Sequence, residues 1–313
     1  MTEENNSLRG RDLLSLHDFT SAEIKLILDL AAELKNKQRN NVPHRYLQAK
    51  TLGMIFQKAS TRTRVSFEVA MYHLGGNPLF LNTQDLQLGR GESISDTARV
   101  LSRYLDGIMI RTFDQNDVTE LAEYADIPVI NGLTDLLHPC QALADLLTIK
   151  EHLGELKGLT LAYLGDGNNV CHSLLFGCAK TGVNINVASP EGYAPNAEIV
   201  SQARADASLT NAKVRIMTDP TEAVTGAQVV VTDVWASMGK EDEQARRAAV
   251  FPPYQVNDKL TAHAAKDFIF LHCLPAHRGE EVAGEIIAGA HSVVWDEAEN
   301  RLHTQKAVLA LLL

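Results

Sequence analysis

Five consecutive residues, Ser60-Thr61-Arg62-Thr63-Arg64, concentrate three hydroxyls and two guanidiniums. They follow a short apolar run at 51–56 and precede a helical pattern carrying Val65, Phe67, Val69 and Ala70. A helix start presents backbone N–H groups and a partial positive charge, and both attract anions. Arginine forks match phosphate oxygens in geometry and in charge. A serine cap followed by a solvated basic turn would be spelled the same way, so this stretch gains meaning only with partners elsewhere.

Other stretches offer such partners, each with a plainer reading of its own. His138-Pro139-Cys140-Gln141 follows an apolar run at 127–130. Proline suits the first helical position, which puts His138 at the cap and Gln141 in the first turn. By itself a His-Pro helix start is usually structural. Arg111 follows the run 107–110; it faces a cleft or is simply a surface arginine. Gly165-Asp166-Gly167-Asn168-Asn169 begins like a dinucleotide fingerprint, but the third glycine position holds Val170. The next strand ends Val187-Ala188-Ser189, without the acid that would grip an adenosine ribose. The turn therefore reads as a close-approach loop presenting Asn168 or Asn169.

Two later stretches complete the set. In Asp233-Val234-Trp235-Ala236-Ser237-Met238-Gly239, Asp233 can pair with an ammonium group, and Ser237 with the backbone at Met238 can hold a carboxylate or an amine. The charged run Lys240-Glu241-Asp242-Glu243 that follows reads as a solvated face or as part of a lid. In His272-Cys273-Leu274-Pro275 the thiol, with a reference pKa of about 8.5, is mostly protonated at neutral pH. No Cys-His-Asn set accompanies it, so covalent catalysis is not favoured.

The elements that must position these groups alternate. Thr20 and Glu23 form a capping-box pattern, and Ile24, Ile27, Leu28, Ala31 and Leu34 then mark one helical face. Buried strands are expected at 51–56, 79–81, 107–110 and 127–130, with helices at 60–74, 94–105, 118–124 and 139–152. After a connection at 154–158, strands are expected at 160–164, 184–188, 213–217, 228–232, 268–272 and 292–295. A last helix is expected at about 297–313. Alternation of this kind favours α/β architecture with parallel sheets. The expectation is two doubly wound parallel-sheet domains, 1–150 and 151–296, with the last helix packing back on the first. Ligands in such sheets bind beyond the carboxyl ends of strands, which places the active site in the cleft between the domains.

Composition narrows the classes. The chain has 313 residues, 45% hydrophobic and 22% charged, as ordinary globular proteins do. Lys plus Arg is 29 against 39 Asp plus Glu, a net charge of −10 that disfavours a nucleic-acid partner. Cys140, Cys171, Cys178 and Cys273 match no zinc-site spacing and read as reduced thiols. The acidic, polar start is unlike a secretory or transit signal, and no apolar run is long enough for a bilayer. A cytoplasmic location without a membrane partner is expected.

In their order along the chain, Ser-Thr-Arg-Thr-Arg, Arg111, His-Pro-Cys-Gln, Asp-Val-Trp-Ala-Ser-Met-Gly and His-Cys-Leu-Pro resemble the aspartate/ornithine carbamoyltransferase family. The last two stretches are similar to its ornithine branch. The likeness runs from about residue 8 to the final helix. It implies transfer of a carbamoyl group from carbamoyl phosphate to the δ-amine of L-ornithine, with no metal or organic cofactor. Ser60, Thr61, Arg62 and Thr63 would bind the phosphate, and Arg111, His138, Pro139, Cys140 and Gln141 the carbamoyl end. Gln87 matches a loop that reaches a neighbouring subunit's site. Cys273, Leu274 and Arg301 would complete the carbamoyl phosphate site, with Arg111, His138 and Cys273 at the reacting groups. Asn169, Asp233, Ser237 and Met238 would bind ornithine. A homotrimer with shared active sites, or a multiple of it, is implied.

The chemistry is consistent with those residue types. A neutral amine must attack a carbonyl carbon, charge develops on the oxygen, and donors there stabilise the tetrahedral state. An alkyl ammonium has a pKa of about 10.4, so the site must supply the uncharged amine, with phosphate, Cys273 or solvent taking the proton. Asp233 suits an α-ammonium, whereas aspartate as substrate would call for extra cations in the second domain. Putrescine or an acylated ornithine stays open. Two other classes remain: a nicotinamide-dependent dehydrogenase, on the glycine turn, and a non-catalytic two-domain binder.

Overall fold

The computed structural model describes residues 8–87, 91–236 and 243–313. Nine strands and twelve α-helices fall in those residues. The chain divides into two compact units, the first up to Leu147 with Glu299–Leu313 added, the second Thr148–Ala298.

In the first unit, α1 (Ser21–Arg39) opens on a full capping box: Thr20 Oγ1 accepts the Glu23 N–H, and Glu23 Oε2 accepts the Thr20 N–H at 2.8 Å. Its Ile24, Ile27, Leu28, Ala31 and Leu34 are all buried. Then come β1 (Thr51–Phe56), α2 (Thr61–His73), β2 (Asn77–Asn82), α3 (Ile94–Leu101), β3 (Gly107–Arg111), α4 (Gln115–Tyr124), β4 (Val129–Leu133) and α5 (Pro139–Leu153). The strands form one parallel sheet in the order β2-β1-β3-β4. β1, β3 and β4 are buried along almost their whole length, as strands covered on both faces must be. Ile55, Ile108, Ile110, Val118, Leu121 and Val129 form one core cluster.

The second unit continues with β5 (Thr160–Leu164), α6 (Asn169–Thr181), β6 (Asn184–Ala188), α7 (Ala197–Thr210), β7 (Val214–Met217), α8 (Pro220–Val224), β8 (Val229–Thr232), α9 (Gln244–Val250), α10 (Asp258–Thr261), β9 (Ile269–His272), α11 (Gly284–Ile287) and α12 (Val294–Leu312). Its sheet is also parallel, in the order β7-β6-β5-β8-β9. The end of α12 lies in the first unit and is buried on every side from His303 to Leu313. None of the helices among the described residues is long and apolar enough to cross a membrane.

Both sheets reverse direction once, and the reversal decides where ligands can sit. In the first, the chain leaves β1 for β2 on one side and returns to β3 on the other. In the second, it leaves β5 for β6 and β7, then returns to β8. The loops diverge at such a point and leave a crevice at the carboxyl ends. Phe56 pairs with Arg111 there, and Leu164 with Thr232.

Three expectations change. The strand at 292–295 does not form: Ser292 makes a single bridge to Phe270, and Val294 already starts α12. The strand expected at 79–81 is not buried but is the sheet's edge, with Leu79 40% and Phe80 38% exposed. The helix expected to reach residue 105 stops at Leu101, capped by Ser102, and Leu105 folds down into the core instead.

Candidate active site

At the carboxyl edge of the first sheet, Ser60 caps α2, its Oγ accepting the Thr63 N–H at 3.2 Å. Thr61 and Arg62 are exposed, while the Thr63 side chain is buried. Arg64 leaves the cluster: its Nε donates to Glu68 at 2.9 Å, and its guanidinium lies 3.8 Å from the Phe80 ring centre. In the same loop Lys58 is buried, paired with Asp135 and lying 4.5 Å over the Phe113 ring. From β3 comes the buried Arg111, and its carbonyl accepts the Gln57 N–H at 2.9 Å, tying the ends of β1 and β3 together.

α5 starts with Pro139 as its first helical residue, leaving His138 and Gln141 buried beside that edge. Arg301, from α12, donates to Gln141 Oε1 at 2.8 Å and to Thr63 Oγ1 at 3.2 Å, and Gln141 Nε2 donates to Asp145 Oδ1 at 2.8 Å. One guanidinium thereby links α2, α5 and α12. Burial, and then the charges of Arg301, Arg111 and Arg62, hold the His138 imidazole well below the ordinary histidine value. His138 is thus a neutral ring set among guanidiniums, able to donate one N–H without carrying charge. Cys140 faces away, its Sγ 3.5 Å from the Asn131 carbonyl oxygen, and burial pushes its thiol up to about 11. Gln87 is exposed.

The second edge is built around a carboxylate. Asp233, directly after β8, accepts from Asn168 Nδ2 at 2.7 Å, from the Cys273 thiol at 3.0 Å and from the Val234 N–H at 2.8 Å. Asn168 also caps α6, its Oδ1 accepting from the Val170 and Cys171 N–H groups and from the Tyr163 hydroxyl. Asn169 sits one residue on, its Oδ1 2.9 Å from the Val170 N–H. Of the two asparagines left open by the sequence, Asn168 is the one against Asp233. Ser237 and Met238 lie outside the described residues, as do Lys240, Glu241 and Asp242. Leu274, at the end of the His-Cys-Leu-Pro stretch, has a φ of 57°, unusual for a residue with a side chain.

The glycine turn has an explanation that needs no dinucleotide. A Cβ on Gly167 would lie 2.2 Å from the Pro195 nitrogen, and the Gly167 N–H donates to the Tyr193 carbonyl at 2.8 Å. The close approach is to the chain's own 193–195 loop.

Sequence reasoning missed Lys58 and Arg247. Arg247, on α9, is buried and bonds Asp166 Oδ2 at 2.7 Å, Glu243 Oε2 at 2.8 Å and the Trp235 carbonyl. Lys58 carried a weak signal, a cation two residues before the capping serine. Arg247 carried none, since 81 residues separate it from Asp166. Among the described residues two groups have ligand atoms close enough for a metal ion, Asp233–His272–Cys273 and His277–Glu280–Glu281.

Comparisons with known proteins agree with the two ledges. The carbamoyl-P binding domain of aspartate/ornithine carbamoyltransferase matches residues 11–151, and the Asp/Orn binding domain matches residues 157–312. Fold and site together define a carbamoyl-group transferase of two parallel-sheet domains. An ornithine carbamoyltransferase of Carboxydothermus hydrogenoformans is 62% identical, over 98% of this chain and 99% of the relative. An anabolic ornithine carbamoyltransferase of Pyrococcus furiosus is 57% identical over 98% of each chain. The solved ornithine carbamoyltransferase of that organism superposes with a TM-score of 0.95 over 98% of both chains, and that of Thermus thermophilus with 0.86 at 41% identity, over 96% of this chain and 99% of the other. The chain belongs to the aspartate/ornithine carbamoyltransferase family.

Proposed function

We propose that the chain transfers the carbamoyl group of carbamoyl phosphate to the δ-amine of L-ornithine, giving L-citrulline and phosphate. The observation that carries this is the neutral His138 among Arg62, Arg111 and Arg301, a site whose positive field suits a dianion. The near full-length identity to ornithine carbamoyltransferases supports the choice of amine.

In this reading the start of α2, with Ser60, Thr61, Arg62 and Thr63, holds the phosphate, and Arg301 adds a guanidinium that is already aligned by Gln141 and Thr63. Arg111 and His138 donate to the carbamoyl oxygen and Gln141 meets the carbamoyl nitrogen, with Pro139 and Cys140 shaping the helix start. Ornithine is held by Asn169, Asp233, Ser237 and Met238, and Asn168 keeps Asp233 aimed. Cys273 and Leu274 stand by the reacting amine. The nitrogen lone pair attacks the carbamoyl carbon, and the carbonyl oxygen takes up negative charge. The C–O bond to phosphate then breaks, the electron pair leaves on phosphate, and the departing phosphate takes the proton that the nitrogen gives up. Donors fixed in advance at the oxygen lower that barrier without reorganising.

A role in arginine biosynthesis draws support from the anabolic name of the Pyrococcus furiosus relative. A trimer with shared sites, to which Gln87 of one copy would reach from outside, draws support from the exposed Val65, Tyr72, Leu79 and Phe80 of α2 and β2. A cytoplasmic setting draws support from four cysteines that are all free thiols. The test is citrulline formation by purified protein with carbamoyl phosphate and ornithine, with aspartate and putrescine as rival amines. No citrulline at saturating substrates, or faster turnover of a rival, ends this reading. Light scattering at working concentration tests the trimer.

A further inference from the structure

Basic chemistry in the first unit is not confined to the start of α2. At the other end of that helix, about 20 Å away for its length, a cavity of about 510 Å³ opens against Gln38, Val42, His44, Arg45, Tyr72 and His73. Among the described residues no Asp or Glu lines it, on a chain whose net charge is −10. Behind it Lys306, from α12, is 0% exposed; its Nζ donates to Gln38 Oε1 at 2.8 Å and lies 3.5 Å from the Leu34 carbonyl oxygen. His44 is 7% exposed, with Nδ1 2.9 Å from the Val42 carbonyl oxygen. A carbonyl can only accept, so the ring proton sits on Nδ1. Nε2 is left as the acceptor for Lys306 at 3.3 Å. The His73 ring stands edge-on to His44 with centres 6.1 Å apart, and its Nδ1 is buried without a hydrogen-bond partner. Helix ends draw cations, which is the plainer reason for basic residues here. Lys306 meets that demand at α1, and His73 lies in the last turn of α2. Arg45 is outside both helices, exposed, and without an ion pair among the described residues. Its stem packs on Gly75, where a Cβ would come 3.1 Å from Arg45 Cβ. A fixed charge and an unpartnered ring nitrogen at one cavity are more than the helix ends require.

We propose that this cavity is a second anion site, separate from the start of α2, for a small organic molecule bearing two or more carboxylate or phosphate oxygens. Arg45 forks onto those oxygens, His73 donates from Nδ1, and Val42 and Tyr72 cover the carbon body. The volume is that of a pocket for a small metabolite. Burial, and then the charges of Lys306 and His44, hold His73 below the ordinary histidine value, and burial pushes Lys306 down to about 8. Lys37, from α1, lowers His44, while Glu299, from α12, acts on Lys306 in the opposite sense. An anion beside these groups favours their charged forms, so binding takes up protons and tightens as pH falls. The site makes no use of the ornithine reading.

The test is calorimetric titration of the full chain at low ionic strength with citrate and, separately, with inorganic phosphate. Citrate should bind the parent and Arg62→Ala alike. Arg45→Gln should weaken it about 10- to 150-fold, the worth of one charged hydrogen bond, and Arg45→Lys should recover part of the loss. Parent affinity should rise between about pH 8 and 6.5 with measurable proton uptake, and the rise should shrink in His73→Gln. Phosphate binding that survives Arg62→Ala and falls in Arg45→Gln supports the site for phosphate oxygens as well; citrate binding alone supports it for carboxylates. No binding of either anion up to about 10 mM overturns the proposal. So does binding that Arg62→Ala abolishes and Arg45→Gln leaves intact. Should Arg45→Gln fail to fold, His73→Gln decides, and affinity and pH dependence equal to the parent's would overturn the proposal there too. Absence of citrulline from the parent would sink the functional reading and leave the citrate result standing.

Discussion

Each sheet offers a crevice at its own carboxyl edge, and the two edges carry opposite chemistry. At the first edge stand Arg62, Arg111 and Arg301 around an imidazole kept neutral. At the second stands Asp233, ringed by an amide, a thiol and a backbone N–H. The buried cation nearby, Arg247, is turned onto Asp166 and Glu243. Strand order and register set where a ligand can bind in both units. The side chains at that edge decide which sign of charge it carries. A doubly charged phosphate donor and a diamino acid call for that contrast.

Changes that break one edge should leave the other working. The largest effect is expected from Arg247→Met, which removes the guanidinium from the buried Asp166. Losing one partner of a buried pair costs about 3–5 kcal/mol. Urea unfolding should register that loss, while carbamoyl phosphate binding to the folded protein persists; a loss under about 1 kcal/mol would mean that water or a neighbour replaces the guanidinium. Next comes His138→Ala. Removing a donor from a developing oxyanion costs about 10²- to 10³-fold in kcat, and a variant within about tenfold of the parent would remove His138 from the reaction. Arg62→Ala should weaken carbamoyl phosphate about 10- to 150-fold, the worth of one charged hydrogen bond, with ornithine KM unmoved. A matching rise in ornithine KM would blur the division between the edges. Ser60→Ala should cost about 1 kcal/mol of stability through the lost cap, measured by thermal unfolding with a parent-like transition slope.

Much of this contrast could be read from the chain before any fold was known. Strands at 51–56, 160–164 and 184–188 came from short apolar runs bounded by polar turns, and their ends agree with the observed ones. Ser60 as cap and Pro139 as first helical residue followed from local backbone chemistry, which acts within a few residues. What stayed hidden depends on distance in sequence. The link from Arg301 to Gln141 and Thr63 spans 160 and 238 residues, and it entered by family likeness rather than by pattern. That Asn168 is the asparagine bonded to Asp233 could be seen only once the position of Asp233, 65 residues on, was known. The false strand at 292–295 shows the opposite error: Val293 and Val294 look extended, yet the backbone pairs once with Phe270 and then coils.

The smallest effect tests the first edge through pH. The folded-state pKa of His138 lies well below the 6.5 of a free ring, so the unfolded chain binds more protons as pH falls through that value. Stability contributed by the neutral ring is therefore complete above the unfolded pKa and declines below it. At pH 6.5 half of the unfolded rings are protonated, a loss of about 0.4 kcal/mol from this one site. His44 and His73 are lowered too, chiefly by burial, and contribute with the same sign. The quantity to measure is thus the change in unfolding free energy between about pH 8 and 6.5, compared between parent and His138→Asn. The parent should lose more. An equal loss would mean that the imidazole takes a proton in the folded protein despite three guanidiniums, and the first edge would then be far less positive than its arginines imply.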